Sequence, residues 1–237
     1  MLTPKDILGY IHGGRVLDAA TGNGGFIHFL LDGLQDYTEI IGIDANERYA
    51  AAFTQVFKET PNIRFEMMDA LSPGYPAESF DTVCLSNSLH HFDDPRAVLG
   101  QIMRMLRPGG HLILAEMYRD GQTETQLTHV HLHHWWAAVD RAASVIHHET
   151  SQRTEIIKQV DELGLSGLRF FDLSDTNEDP NNPEILTELN PVIDRYIQRA
   201  IGYPDLQARG EELRTRLSNI GFHSASTLIA VGVKPTL

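Results

Sequence analysis

The sequence predicts an α/β fold on a parallel sheet with right-handed crossovers, and three observations carry that prediction. Short apolar runs recur at 16–19, 39–44, 62–68, 80–86 and 111–116; helical stretches separate most of them; and several end in a carboxylate beside a turn. With 237 residues the chain can bury one sizeable core, so a single domain over 1–237 with elaborated segments is expected.

The first run sets the pattern. Val16-Leu17-Asp18-Ala19-Ala20-Thr21-Gly22-Asn23-Gly24-Gly25-Phe26 passes from a strand through a glycine-bearing turn into a helix over 26–34. Glycine at 22 and 24 tolerates positive φ, and a Cβ at either would hold the backbone away from a bulky ligand. The acid discriminates between ligands. Asp18 would repel a pyrophosphate held at the helix N-terminus, and Gly22-x-Gly24-x-x-Ile27 lacks the third glycine of a dinucleotide fingerprint. A ligand carrying positive charge would be attracted.

This stretch resembles motif I of the class I S-adenosylmethionine-dependent methyltransferases, an acid followed by alternating glycines, with Ala20 standing at the first glycine. The resemblance implies a Rossmann-like, doubly wound, seven-stranded sheet whose last strand is antiparallel, with S-adenosyl-L-methionine as cofactor. It places Asp18 and the backbone around Ala20, Gly22 and Gly24 against the methionine part.

The run at 39–44 ends in Asp44, followed by Ala45 and Asn46. An acid some 20 or more residues past the glycine turn is placed to accept hydrogen bonds from ribose hydroxyls, and it resembles the family's motif II acid, with Ala45 beside it. Asp44 or Asn46 could equally cap a helix over 47–58. After the strand at 62–68, the resemblance sets Asp69 at the adenine amino group and Ala70 along the ring; alone, Asp69 reads as readily as a turn acid before Ser72-Pro73-Gly74.

Phe80-Asp81-Thr82-Val83-Cys84-Leu85-Ser86 is the clearest buried strand, and Asn87-Ser88-Leu89-His90-His91-Phe92 follows. This resembles motif IV and its loop in small-molecule methyltransferases. Ligands of open α/β sheets lie beyond the carboxyl ends of strands, so Asn87 is expected at the cofactor rim, with His90 and His91 near the methyl group. Asp94 and Pro95 start a helix that stops at Pro108-Gly109-Gly110, a structural turn into the strand 111–116, which ends in Glu116. His90, His91 and Glu116 are the candidate catalytic bases.

Beyond this point the chain departs from pattern. Six of its 12 histidines, His129, His131, His133, His134, His147 and His148, fall within 122–151, inside a predicted helical lid over 119–151. At 100° per residue, Leu132, Trp135, Val139, Ala142, Ala143 and Ile146 form an apolar face, and His129, His133, Trp136, Asp140 and His147 an adjoining stripe. His129 and His133, spaced i, i+4, could chelate one divalent metal, zinc or a similar ion, with a third ligand from His90, His91 or Glu116. One continuous helix would put His147 roughly 27 Å from His129, out of reach. The alternative is a set of half-exposed histidines packing on the core edge.

Strands at 168–173 and 226–233 would complete the sheet, with a helical insertion over 175–221 between them carrying helices at 184–200 and 205–219. Arg195, Tyr196 and Arg199 there could reach a pocket, reach a partner subunit in a homodimer, or form a solvated face. With only 14 residues before the first strand, the substrate cover is expected from these later segments.

A net charge of −13 without a basic run argues against nucleic acid as partner. Cys84, the only cysteine, excludes an intrachain disulfide; no stretch approaches a membrane span or a signal peptide, and a cytoplasmic location is expected. The leading expectation is methyl transfer to a small-molecule acceptor, assisted or not by a histidine-bound metal. The alternatives are a non-catalytic cofactor-binding or regulatory protein of the same fold, and a nicotinamide-dependent oxidoreductase, against which Asp18 and the missing glycine count.

Overall fold

The computed structural model describes residues 2–236, whose strands join in one seven-stranded sheet. In chain order these are β1 (Arg15–Ala19), β2 (Glu39–Asp44), β3 (Ile63–Met67), β4 (Phe80–Ser86), β5 (Leu106–Met117), β6 (Ser166–Leu173) and β7 (Thr227–Val233). Their spatial order is β3-β2-β1-β4-β5-β7-β6; the seven strands and the antiparallel setting of β7, here against both of its neighbours, are as the sequence led one to expect. The chain leaves β1 for β2 on one side and returns to β4 on the other, and both pair with β1 in parallel. That reversal opens a crevice at the carboxyl ends of β1 and β4.

Alternation along the strands divides the core. Leu17, Ile41, Val83 and Leu112 face helices α4 (Pro95–Met105) and α6 (Arg153–Asp161), while Val16, Ile40, Cys84 and Ile113 face α1 (Pro4–Leu8), α2 (Gly25–Gly33) and α3 (Ala50–Val56). Successive residues of a strand point to opposite faces, so both layers are apolar only because the strands are apolar throughout. Cys84 is fully buried here as a small apolar side chain.

Three expectations need correction. Pro108-Gly109-Gly110 lies within β5, which begins at Leu106 opposite Phe80; Gly109, at φ +76°, takes a place beside Lys234, whose carbonyl accepts its amide. Helix α6 was not anticipated, although the Glu155 carboxylate accepts the Gln152 amide at its start at 2.7 Å and Ile156 and Val160, four residues apart, enter the core. The histidine helix, expected to reach 151, is α5 (Glu124–Ala142) and ends well short.

The chain turns back just beyond α5. Ser144 takes φ +59°, the Ala143 amide closes on the Val139 and Asp140 carbonyls, and Arg141 donates to the His147 carbonyl at 2.7 Å. Ile146, placed on the apolar face by a continuous wheel, is therefore exposed. Leu132, Trp135 and Val139 keep that face and build a separate small core with Ile193, Leu213 and Leu217 of α7 (Pro183–Arg199) and α8 (Pro204–Ile220). Gly210 is required there, since a Cβ would meet the Trp135 ring at 2.5 Å. Among the described residues no helix is long and apolar enough to cross a membrane.

Candidate functional site

A cavity of about 620 Å³ lies at the carboxyl ends of β1, β2 and β4, within the size range of small-molecule pockets. The turn after β1 forms its floor. Ala20 and Gly22 stand at φ +52° and +56°, and a Cβ added to Gly22 would meet no atom within 4 Å, so the missing side chain is cavity space. Ala20 accepts the left-handed conformation without being glycine, as does Asn87 at φ +44° at the end of β4. Each costs on the order of 1 kcal/mol or more, a strain that collects at ligand sites.

Gly24 belongs to a different account. At φ +85° it is the residue before α2, it does not line the cavity, and a Cβ there would strike Phe57 at 2.5 Å and Phe53 at 3.1 Å. Its expected approach to the cofactor is thus replaced by packing on α3.

Two carboxylates dominate the electrostatics of this end. Asp18 is buried; its Oδ2 accepts from the Thr21 hydroxyl at 2.6 Å, while Oδ1 finds no partner among the described residues. Burial pushes its pKa up to about 7, against the Thr21 hydrogen bond and with the help of the Asp44 charge. Asp44 closes the turn from β2, taking the Gly22 amide at 3.0 Å and the Asn46 amide at 2.8 Å. Asn46, not Asp44, caps the 3-10 turn at Glu47–Tyr49 that precedes α3. A cation in the cavity would relieve the unpaired, desolvated Asp18.

Asp44, Ala45, Asp69, Ala70 and Asn87 all line the cavity, as do Asp18, Ala20 and Gly22. Asp69 also fulfils its turn reading, accepting the Leu71 amide at 2.9 Å, and Asn87 is locked by the Met117 amide at 2.9 Å.

The opposite wall gathers side chains from distant segments. His91 lines the cavity, but His90 and Glu116 lie behind it. Glu116 is buried, its Oε1 lies 2.5 Å from His90 Nδ1, and its Oε2 accepts the Ser88 and Leu89 amides at 3.0 and 3.2 Å. Glu116 therefore holds the turn after β4 in place and fixes the His90 ring. Burial, aided by the neighbouring His90 and His147 rings, lowers the His91 pKa to about 3, which keeps this imidazole neutral.

The pair His129 and His133 is not brought to a common point. Their ring centroids are 6.5 Å apart, and His129 Nδ1 accepts the Ala225 amide at 2.9 Å. His147 instead returns with the loop after α5, so that His90, His133 and His147 each offer a ring nitrogen, all within 4.8 Å of one another. The expected separation failed because it presumed unbroken helix.

Sequence reading also left open three residues that prove to line the cavity: Asp140, Tyr196 and Arg199. Arg199 pairs with Asp140 Oδ1 at 2.5 Å, the Tyr196 hydroxyl lies 3.3 Å from Oδ2, and His147 Nδ1 lies 2.7 Å from the same oxygen. Burial alone would raise the Asp140 pKa; the His147 and Arg199 partners hold it below the ordinary carboxylate value. The i, i+3 spacing of Tyr196 and Arg199, on one helix face, was the available signal. Arg195 does not line the cavity.

A profile of the methyltransferase domain matches residues 8–169. The chain is 34% identical over 107 residues to the uncharacterized methyltransferase YcgJ of Bacillus subtilis, covering 44% of this chain and 41% of that protein. It is 38% identical over 103 residues to a demethylmenaquinone methyltransferase of Deinococcus radiodurans, covering 43% and 42%. The alignments thus span less than half the length of these curated relatives. In three dimensions the [4+2]-cyclase SpnF matches with a TM-score of 0.63 at 19% identity over 99% of this chain and 79% of that one, a likeness of fold.

Proposed function

The chain belongs to the methyltransferase domain family, and from that premise we propose that it transfers the methyl group of S-adenosylmethionine to a small-molecule acceptor. The observation that carries this reading is the buried Asp18 oxygen without a partner, beside a turn whose Gly22 leaves cavity space. A carboxylate in that state suits a cationic ligand and disfavours a pyrophosphate. When bound, the cofactor supplies an electrophilic methyl carbon on a cationic sulfur.

The chain's own residues then divide the work. Asp18 attracts the charged methionine end, Asp44 accepts from the ribose with lone pairs that Gly22 and Asn46 leave free, and Asp69 and Ala70 border the adenine. Arg199, Tyr196 and Asp140 on the far wall orient the acceptor, and Arg199 favours one with an anionic or carbonyl oxygen. Displacement at the methyl carbon needs an aligned nucleophile above all. His91, held neutral at the wall, is placed to hydrogen-bond the acceptor and orient it; with its pKa lowered to about 3 it binds a proton too weakly to act as the base. His90 and Glu116 act behind it as positioning residues. A metal at His129 and His133 forms no part of this reading, because His129 is engaged by Ala225.

The fold also hosts a protein described as a cyclase, so fold alone does not decide the reaction. Protein incubated with methyl-labelled S-adenosylmethionine and a panel of phenols, amines and quinols, demethylmenaquinone among them, should release S-adenosylhomocysteine and label one acceptor in equal amounts. Stoichiometric cofactor binding without transfer to any acceptor would favour the regulatory alternative. Binding of NADH in its place would overturn the reading.

A further inference from the structure

We propose that His90, His133 and His147 form a binding site for a divalent late first-row metal ion of the zinc class, set in the wall between the cavity and α5. Three segments distant in sequence supply it: the turn after β4, the middle of α5 and the loop that folds back beyond Ser144. The ring centroids lie 4.7 Å apart for His90 and His133, 4.9 Å for His133 and His147, and 5.5 Å for His90 and His147.

The proton inventory of these rings points inward. Glu116 engages His90 Nδ1 at 2.5 Å and Asp140 engages His147 Nδ1 at 2.7 Å. A carboxylate on one ring nitrogen fixes the proton there and leaves the other nitrogen with its lone pair, the orientation that metal-bound histidines receive from their supporting carboxylates. The nitrogens left over are unused: His147 Nε2 and His133 Nδ1 are buried without a hydrogen-bond partner among the described residues. Two of the three clustered rings thus each carry a buried nitrogen without a partner, and a shared electrophile would satisfy both.

Zinc bonds of about 2.0–2.1 Å in tetrahedral geometry put ligand nitrogens about 3.4 Å apart, so side-chain rotation of roughly an ångström from the 4.8 Å limit closes the site. Three imidazoles select zinc, cobalt, nickel or copper over magnesium or calcium, and three protein ligands leave a fourth position open. None of the three ligands lines the cavity itself; His91, which does, has its ring centroid 4.4 Å from those of both His90 and His147.

The ion's use in catalysis rests on the methyl-transfer reading; its binding does not. An acceptor hydroxyl or thiol that reached the open position past His91 would lose its proton more readily. The proton would pass to water, the oxygen or sulfur lone pair would form the bond to the methyl carbon, and the electron pair of the breaking carbon–sulfur bond would stay on the cofactor sulfur.

Titration of the tag-free chain with Co²⁺ tests the site directly. The expected result is one ion per chain with the intense visible absorption of tetrahedral cobalt, displaced by zinc. His133→Gln and His147→Gln should each weaken binding at least 100-fold, Asp140→Asn by about 10–100-fold, and His129→Gln should leave it unchanged. If His133→Gln does not fold by circular dichroism, His147→Gln, on the loop, carries the ligand test. Absence of stoichiometric cobalt binding in the parent chain, or binding indifferent to His147→Gln, overturns the proposal. Since the titration contains neither cofactor nor acceptor, its failure leaves methyl transfer standing, and failure of methyl transfer leaves the metal site standing.

Discussion

Around the cofactor end of the cavity the wall is mostly backbone: two turns at strand ends, left-handed residues at 20, 22 and 87, and carboxylates tied to main-chain amides. The histidine end is mostly side chain, carried in by the turn after β4, by α5, by the loop beyond it and by α7. A site made of backbone is written in a few contiguous residues, because only certain residues fit its dihedrals. A site made of converging side chains depends on where each segment ends and how it returns. The first is therefore constrained by local sequence and the second by tertiary packing, and the two should respond separately to substitution.

The largest effect expected breaks the cofactor end alone. Gly22→Val puts a branched side chain at positive φ and into cavity space, and should weaken S-adenosylhomocysteine binding by about 100-fold. Its neighbour sharpens the contrast: Gly24→Ala, blocked by Phe57, should lower stability to denaturant by about 1–3 kcal/mol with cofactor affinity of the folded chain preserved. Equal loss of affinity in both variants would dissolve the distinction drawn between the two glycines.

Arg199→Ala should act at the other end. Removing the cavity-facing guanidinium is expected to raise the acceptor KM about tenfold and leave cofactor affinity unchanged, as for loss of a uniform binding contact. A matching fall in cofactor affinity would show that the two ends are one unit.

How much of this was legible follows the same division. The strand ends near Asp18, Asp44 and Asn87 were readable, because apolar runs and turn residues fix where a strand stops, and the seven-stranded sheet with its antiparallel last strand came with the resemblance. The role of Gly24 was not, since a requirement for packing and one for ligand approach both leave a glycine, and Phe57 comes near only in the fold. His147 was misplaced because a helical wheel has no term for the turn at Ser144, where the chain reverses and brings the ring back to His133. The supporting carboxylates Glu116 and Asp140 were visible as residues, but their orientation of His90 and His147 exists only once distant segments pack together.

A smaller effect follows from the Asp18 charge. Its pKa, raised to about 7 from an unfolded value near 3.8, means that ionisation opposes folding as pH rises through that interval, so the ligand-free chain loses stability there. A cationic ligand favours the ionised form. Affinity for S-adenosylmethionine, which carries the sulfonium charge, should accordingly rise severalfold, up to roughly tenfold, between pH 6 and 8 and level off above, with Asp44 and the buried Cys84 thiol the ionisable neighbours. Asp18→Asn should flatten the profile. A pH-independent affinity in the parent chain would mean that the carboxylate does not face the ligand's charge.

Calorimetric titration of the parent chain and Asp44→Ala with S-adenosylhomocysteine addresses the central claim most directly. Saturable binding at one ligand per chain, weakened at least tenfold in the variant while circular dichroism stays unchanged, is the predicted result. No saturable binding, or an affinity that Asp44→Ala leaves untouched, would contradict it.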